Sequence, residues 1–156
     1  MKFGRPWVIP ALISLTLGGT ILQAPNLTGT WHLNVDKSKW GSVRKPVSVV
    51  LVIEHKEPQI QYHGSVTYAN EETRDFGFFG AFDGKPYAMT RSYGSGTIVL
   101  HRLDPYSFES AFKTEDGSSE ETAKTTLSRD GKVLTRSLRL RSPEGTKNWT
   151  EIYEKR

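Results

Sequence analysis

Cysteine is absent from the 156 residues. That excludes disulfides, cysteine nucleophiles, iron–sulfur clusters, thiolate zinc sites and a lipid anchor on an N-terminal cysteine. A strong charge of one sign is also missing. Lys plus Arg number 21 against 17 Asp plus Glu, a net +4 at pH 7. Lys2 and Arg5 sit in a leader-like segment, and without them 19 basic residues face 17 acidic ones, an excess of +2. So small an excess gives no reason to expect nucleic acid as a partner. The four histidines, His32, His55, His63 and His101, form no close His-x-His or His-x₃-His pair, and no metal site or cofactor is implied. From Leu27 onward no stretch holds a helical period for three turns.

One long apolar run exists, at the start. Lys2 and Arg5 precede an apolar stretch from Val8 to Leu22, and Ala24 offers a small residue for cleavage. The stretch has the size of a signal core and is short for a membrane span of ~20 residues. Residues 1–24 therefore read as a signal peptide. The mature chain is expected to start near Pro25, to be secreted or periplasmic, and to have no stable membrane insertion after signal removal.

The remainder, 25–156, reads as one domain of short strands. β-branched and aromatic segments at 28–35, 47–55, 59–68, 72–79, 86–93, 97–104, 107–114, 120–128, 132–142 and 148–155 alternate with turn residues. Asp83-Gly84, Asp116-Gly117 and Asp130-Gly131 mark tight hairpins. Ten consecutive strands with short links must curl or close to remove their edges. The expected fold is all-β, an up-and-down antiparallel barrel of about ten strands. A two-sheet sandwich would need long crossovers, and the only sizeable gap is 36–46.

The first strand contains Gly29-Thr30-Trp31 just after the leader, and the last reads Thr150-Glu151-Ile152-Tyr153-Glu154-Lys155. The penultimate hairpin is Asp130-Gly131-Lys132-Val133-Leu134. These segments resemble the calycin superfamily, namely lipocalins, fatty-acid-binding proteins and lipocalin-like proteins exported by bacteria. The resemblance implies a closed barrel with an internal ligand site, with Tyr153 at the position of a ligand-contacting tyrosine. Glu151 stands where fatty-acid-binding proteins place an arginine that holds a carboxylate. The 36–46 connection is too short for their two-helix lid.

Strand alternation assigns faces independently of any family. Val49, Leu51 and Ile53 share one face, and Ile60, Tyr62, Val66 and Tyr68 share another. Trp31 is expected as a structural plug closing one barrel end, with Gly29 beside it. Four arginines lie on apolar faces. Arg74 shares its face with Phe76 and Phe78; Arg91 shares its face with Tyr87, Met89 and Tyr93. Arg102 follows Ile98 and Leu100, next to a turn where it can reach water. Arg136 sits among Leu134, Leu138 and Leu140. A buried guanidinium needs an acid or an anion, and it matches a carboxylate in a bidentate fork.

The expected function is an exported carrier for a small hydrophobic molecule or acidic amphiphile. Phe76, Phe78, Tyr87, Met89, Leu138 and Tyr153 would hold the apolar part. Arg91 and Arg136 would orient an anionic head, with Glu151 competing for them. Two other classes remain open. One is a calycin-scaffold enzyme of isomerase or cyclase type, using Glu151 and Tyr153. The other is an envelope or surface interaction protein with a filled barrel and an adhesive edge along Phe76 to Phe82. An arginine partner for Glu151 would mark that carboxylate as structural.

Overall fold

Turn chemistry decides where this chain reverses, and alternation decides which side chains it buries. A computed structural model describes residues 25–92 and 94–156. The leader assigned to 1–24 and the face position assigned to Tyr93 lie outside those residues. At each Asp-Gly turn the glycine has positive φ, 75°, 69° and 71° for Gly84, Gly117 and Gly131. The aspartate accepts a backbone N–H two residues on: Lys85 to Asp83 at 3.0 Å, Ser118 to Asp116 at 3.0 Å, Lys132 to Asp130 at 3.1 Å. These are Asx-type turns, in which the side chain replaces a backbone acceptor.

The strands are β1 (Gly29–Leu33), β2 (Ser48–Lys56), β3 (Gln59–Thr67), β4 (Thr73–Ala81), β5 (Pro86–Arg91), β6 (Gly96–Asp104), β7 (Ser107–Thr114), β8 (Glu120–Leu127), β9 (Val133–Ser142) and β10 (Gly145–Lys155). Each pairs antiparallel with the next, and β1 closes on β10 through Trp31↔Lys155 and Leu33↔Tyr153. The fold is the expected closed, up-and-down antiparallel barrel of ten strands. β10 starts at Gly145 rather than 148, because Pro143 and Glu144 alone make the turn and Gly145 already pairs with Ser142. β4 is paired with β3 along its whole length and with β5 from Phe76 to Phe78, so the adhesive edge expected along Phe76 to Phe82 is covered over its first half. Phe76 and Phe78 face inward, Phe82 packs on the core, and Phe79 is exposed.

Antiparallel order gives the barrel two unlike ends. The β2–β3, β4–β5, β6–β7 and β8–β9 turns share one end with both termini of the described chain. The other end carries the remaining turns and the long β1–β2 connection. The first end is closed by apolar packing. Trp31, Leu51, Ile53, Ile60 and Leu134 are almost fully buried, and the Trp31 indole N–H donates to Leu27 O at 3.0 Å. Burying each such aliphatic side chain contributes about 1.5–3 kcal/mol. The second end is a mouth. The β1–β2 connection is sewn to β10 by two backbone bonds between Lys39 and Thr150, both 2.8 Å. It then crosses the opening with Trp40, Val43 and Pro46 turned to the lumen.

Candidate functional site

A cavity of about 130 Å³ lies between the mouth and the closed end. Its walls are mostly apolar. On β3 and β4, Tyr62 stacks on Phe78 at 5.4 Å between centroids and on Phe76 at 6.0 Å. Met89, Ile98, Leu100, Phe108, Phe112 and Leu138 complete the walls. Phe76 reaches its place because its cross-strand partner is Gly64. A Cβ at Gly64 would lie 2.2 Å from the Phe76 ring.

Two ion pairs cross the cavity wall. Arg136 on β9 donates to Glu151 on β10 at 3.0 Å, with side chains 13% and 11% exposed. The two are cross-strand partners. Glu151 also accepts from the Trp149 indole at 2.8 Å and the Tyr153 hydroxyl at 2.9 Å. Nearer the mouth, Arg91 pairs with Glu121 at 3.2 Å and lies 3.6 Å over the Phe112 ring centroid. At the rim Arg44 pairs with Glu72 at 3.0 Å, on Tyr68. The cavity is thus polar in patches but balanced in charge.

The electrostatics follow from this packing. Burial pushes the Tyr62 hydroxyl up to about 12, with the charges of Arg136, Glu151 and Glu121 also acting on it. Those charges sit on β8–β10, across the closed ring from β3, and line the same cavity as Tyr62. Its hydroxyl is buried and has no hydrogen-bond partner among the described residues. Tyr153 is raised well above the usual phenol value, first by burial and then by the Glu151 charge. Burial opposes the Arg136 charge, but the acidic groups around it, with the Glu151 carboxylate at 3.0 Å, more than offset that and raise it above the ordinary arginine value.

Arg91, Arg136, Glu151, Tyr153, Met89, Phe76, Phe78 and Leu138 all line the cavity, as alternation places them. Tyr87 does not. β4 and β5 pair only from Phe76↔Arg91 to Phe78↔Met89, and the Tyr87 ring lies instead against Gly80. Its hydroxyl donates to Asp83 at 2.8 Å. Trp31 is buried at the closed end and Gly29 stands beside Lys155; neither lines the cavity. Arg74 pairs with Glu72 at 2.5 Å. Arg102 does not simply reach water: it lies 3.9 Å over Phe82, pairs with Glu57 at 2.6 Å, and is 19% exposed.

Neither Arg91 nor Arg136 is held ready for an anionic head, because each meets an interior glutamate. Glu121 and Trp149 escaped the sequence reading, although both share faces with recognised residues. Glu121 alternates with Ala123 and Leu127, and Trp149 with Glu151 and Tyr153. The Glu151 carboxylate takes three donors, and the arginine partner expected to mark it as structural is among them. Among the described residues no group of three or more His, Asp or Glu side chains is placed to hold a metal ion.

No family model and no curated protein matches the chain. Among solved structures the barrel is similar to the crystal structure of Rv2717c from M. tuberculosis. The TM-score is 0.55, over 83% of this chain and 92% of that one, at 15% sequence identity. At that identity the likeness is one of fold alone.

Proposed function

We propose that the protein is an exported carrier that binds a small, mainly apolar molecule inside its barrel. The observation that carries this reading is the cavity itself: about 130 Å³ with a mostly aromatic and aliphatic wall and a Tyr62 hydroxyl that has no partner among the described residues. A purely structural barrel gains by filling such a space, since unfilled volume costs packing energy. Apolar contact at about 25 cal/mol per Å² supplies most of the affinity. The volume is below the ~300–1,000 Å³ of drug-sized sites. It encloses one ring or a short chain, and a longer tail must project through the mouth past Trp40 and Pro46.

Soaking crystals with iodobenzene tests this directly. The expected result is an anomalous iodine peak between Tyr62, Met89 and Leu138. Iodine found only on the outer surface contradicts it. Export is checked separately by intact mass of the processed protein. A chain beginning near Pro25 is expected; a full-length chain retained in the cytoplasm overturns that part.

A further inference from the structure

The charges of the cavity are already spent on one another. Arg136 meets Glu151 at 3.0 Å, Arg91 meets Glu121 at 3.2 Å, and Arg44 at the rim meets Glu72 at 3.0 Å. The Tyr62 hydroxyl is an uncharged group of this lining: it is buried and has no hydrogen-bond partner among the described residues. We propose that the ligand is uncharged, of the size of one substituted ring, and carries a single amide, carbonyl or hydroxyl group that meets Tyr62. The proposal rests on the binding reading above and names the chemical class that this site takes.

Charge decides the class from both sides. An anion entering the cavity finds Arg91 and Arg136 each neutralised, and it faces Glu121 and Glu151 as like charges. A cation faces the two guanidinium groups in the same way. Either ion must shed its water and disrupt an existing buried pair, which is costly. A neutral molecule disrupts nothing. Its polar group supplies the bond that the phenol lacks, and a buried hydroxyl left unmet carries its full desolvation penalty. Tyr62 remains a protonated phenol at neutral pH, since burial raises it to about 12, so it can donate or accept. The aromatic stack of Tyr62, Phe76 and Phe78 offers a flat wall for a ring. The volume agrees, because an apolar cavity of about 150 Å³ accepts benzene.

Benzamide, benzoate and benzamidinium share a ring and a planar head and differ in charge. Each is titrated into nitrogen-15-labelled protein near pH 7, with toluene as the apolar reference, and read by amide shifts. Benzamide is expected to move residues of β3 and β8–β10 and to bind at least about tenfold tighter than either ion. Tyr62→Phe removes one oxygen and keeps the ring stack. It should weaken benzamide about five- to tenfold and leave toluene unchanged. Glu121→Gln removes one negative charge and should raise benzoate affinity relative to benzamide by about tenfold. Benzoate binding in the cavity as tightly as benzamide overturns the charge class while leaving the binding reading intact. No cavity shifts with any of the four probes overturns both. Equal losses for toluene and benzamide in Tyr62→Phe overturn the role of the hydroxyl.

Discussion

Tyr62 concentrates the argument at the level of single residues. Its ring belongs to the packing of the barrel, and its hydroxyl is buried without a partner among the described residues. The raised phenol value makes it a stability group with a definite sign. The folded chain holds the Tyr62 proton up to about 12, whereas an exposed phenol releases it near 10. The folded state therefore binds more protons in that window, and stability falls as pH rises from about 10 to about 12. At about 1.4 kcal/mol per pH unit the loss from Tyr62 is roughly 3 kcal/mol. Tyr153 acts in the same direction. Urea unfolding from pH 9 to 12 should show a shallower decline for Tyr62→Phe than for the wild type. Parallel declines would contradict the burial argument.

Much of this was legible residue by residue, and the gaps have physical causes. Arg91 and Arg136 lie on apolar faces, so alternation alone turned them inward. Their partners were harder to read. Glu121 is 30 residues from Arg91, on a strand three places round the barrel, and only the closed register brings the two together. That Tyr62 lacks a hydrogen bond is a fact of three-dimensional surroundings, which no residue pattern contains. Tyr87 shows the limit of alternation itself. It shares the inward face of Met89 as expected and packs against the Met89, Ile98 and Phe112 cluster, but β4 and β5 pair over three positions only. The ring fills the space over Gly80 instead of reaching the cavity.

At the scale of elements, β3 and β4 form the wall that shapes the cavity. Gly64 and Phe76 face each other across that pair, and the ring occupies the volume a side chain would need. Gly64→Val should force Phe76 off its place, at a cost of about 1–3 kcal/mol for overpacking. The displaced ring would narrow the cavity, so thermal stability and toluene affinity should fall together. Unchanged stability would mean that the wall yields easily and does not set the cavity's shape. The turns need no such support. The three Asp-Gly hairpins carry their own geometry, which is why the strand boundaries could be placed closely from residue types. The β1–β2 connection is different, because its path over the mouth depends on Lys39 pairing with Thr150, far away in sequence.

For the molecule as a whole, ring closure explains both the stability and the hollow. Every strand has a neighbour on each side, which removes the long free edges of an open sheet. Side chains at the closed end pack fully, while those nearer the mouth hold paired charges and leave space between them. The central claim is that this space receives a ligand. Leu138, on the cavity wall and 5% exposed, offers the most direct test. Leu138→Phe adds volume where the ligand would lie, and filling a cavity commonly leaves a fold as stable or more so, by about 0.5–2 kcal/mol. Toluene affinity of the two proteins, measured by NMR titration beside their melting temperatures, decides the matter. The account predicts a melting temperature equal or higher for Leu138→Phe and binding weakened at least about tenfold. Equal affinity in the two proteins would place the ligand elsewhere and contradict it.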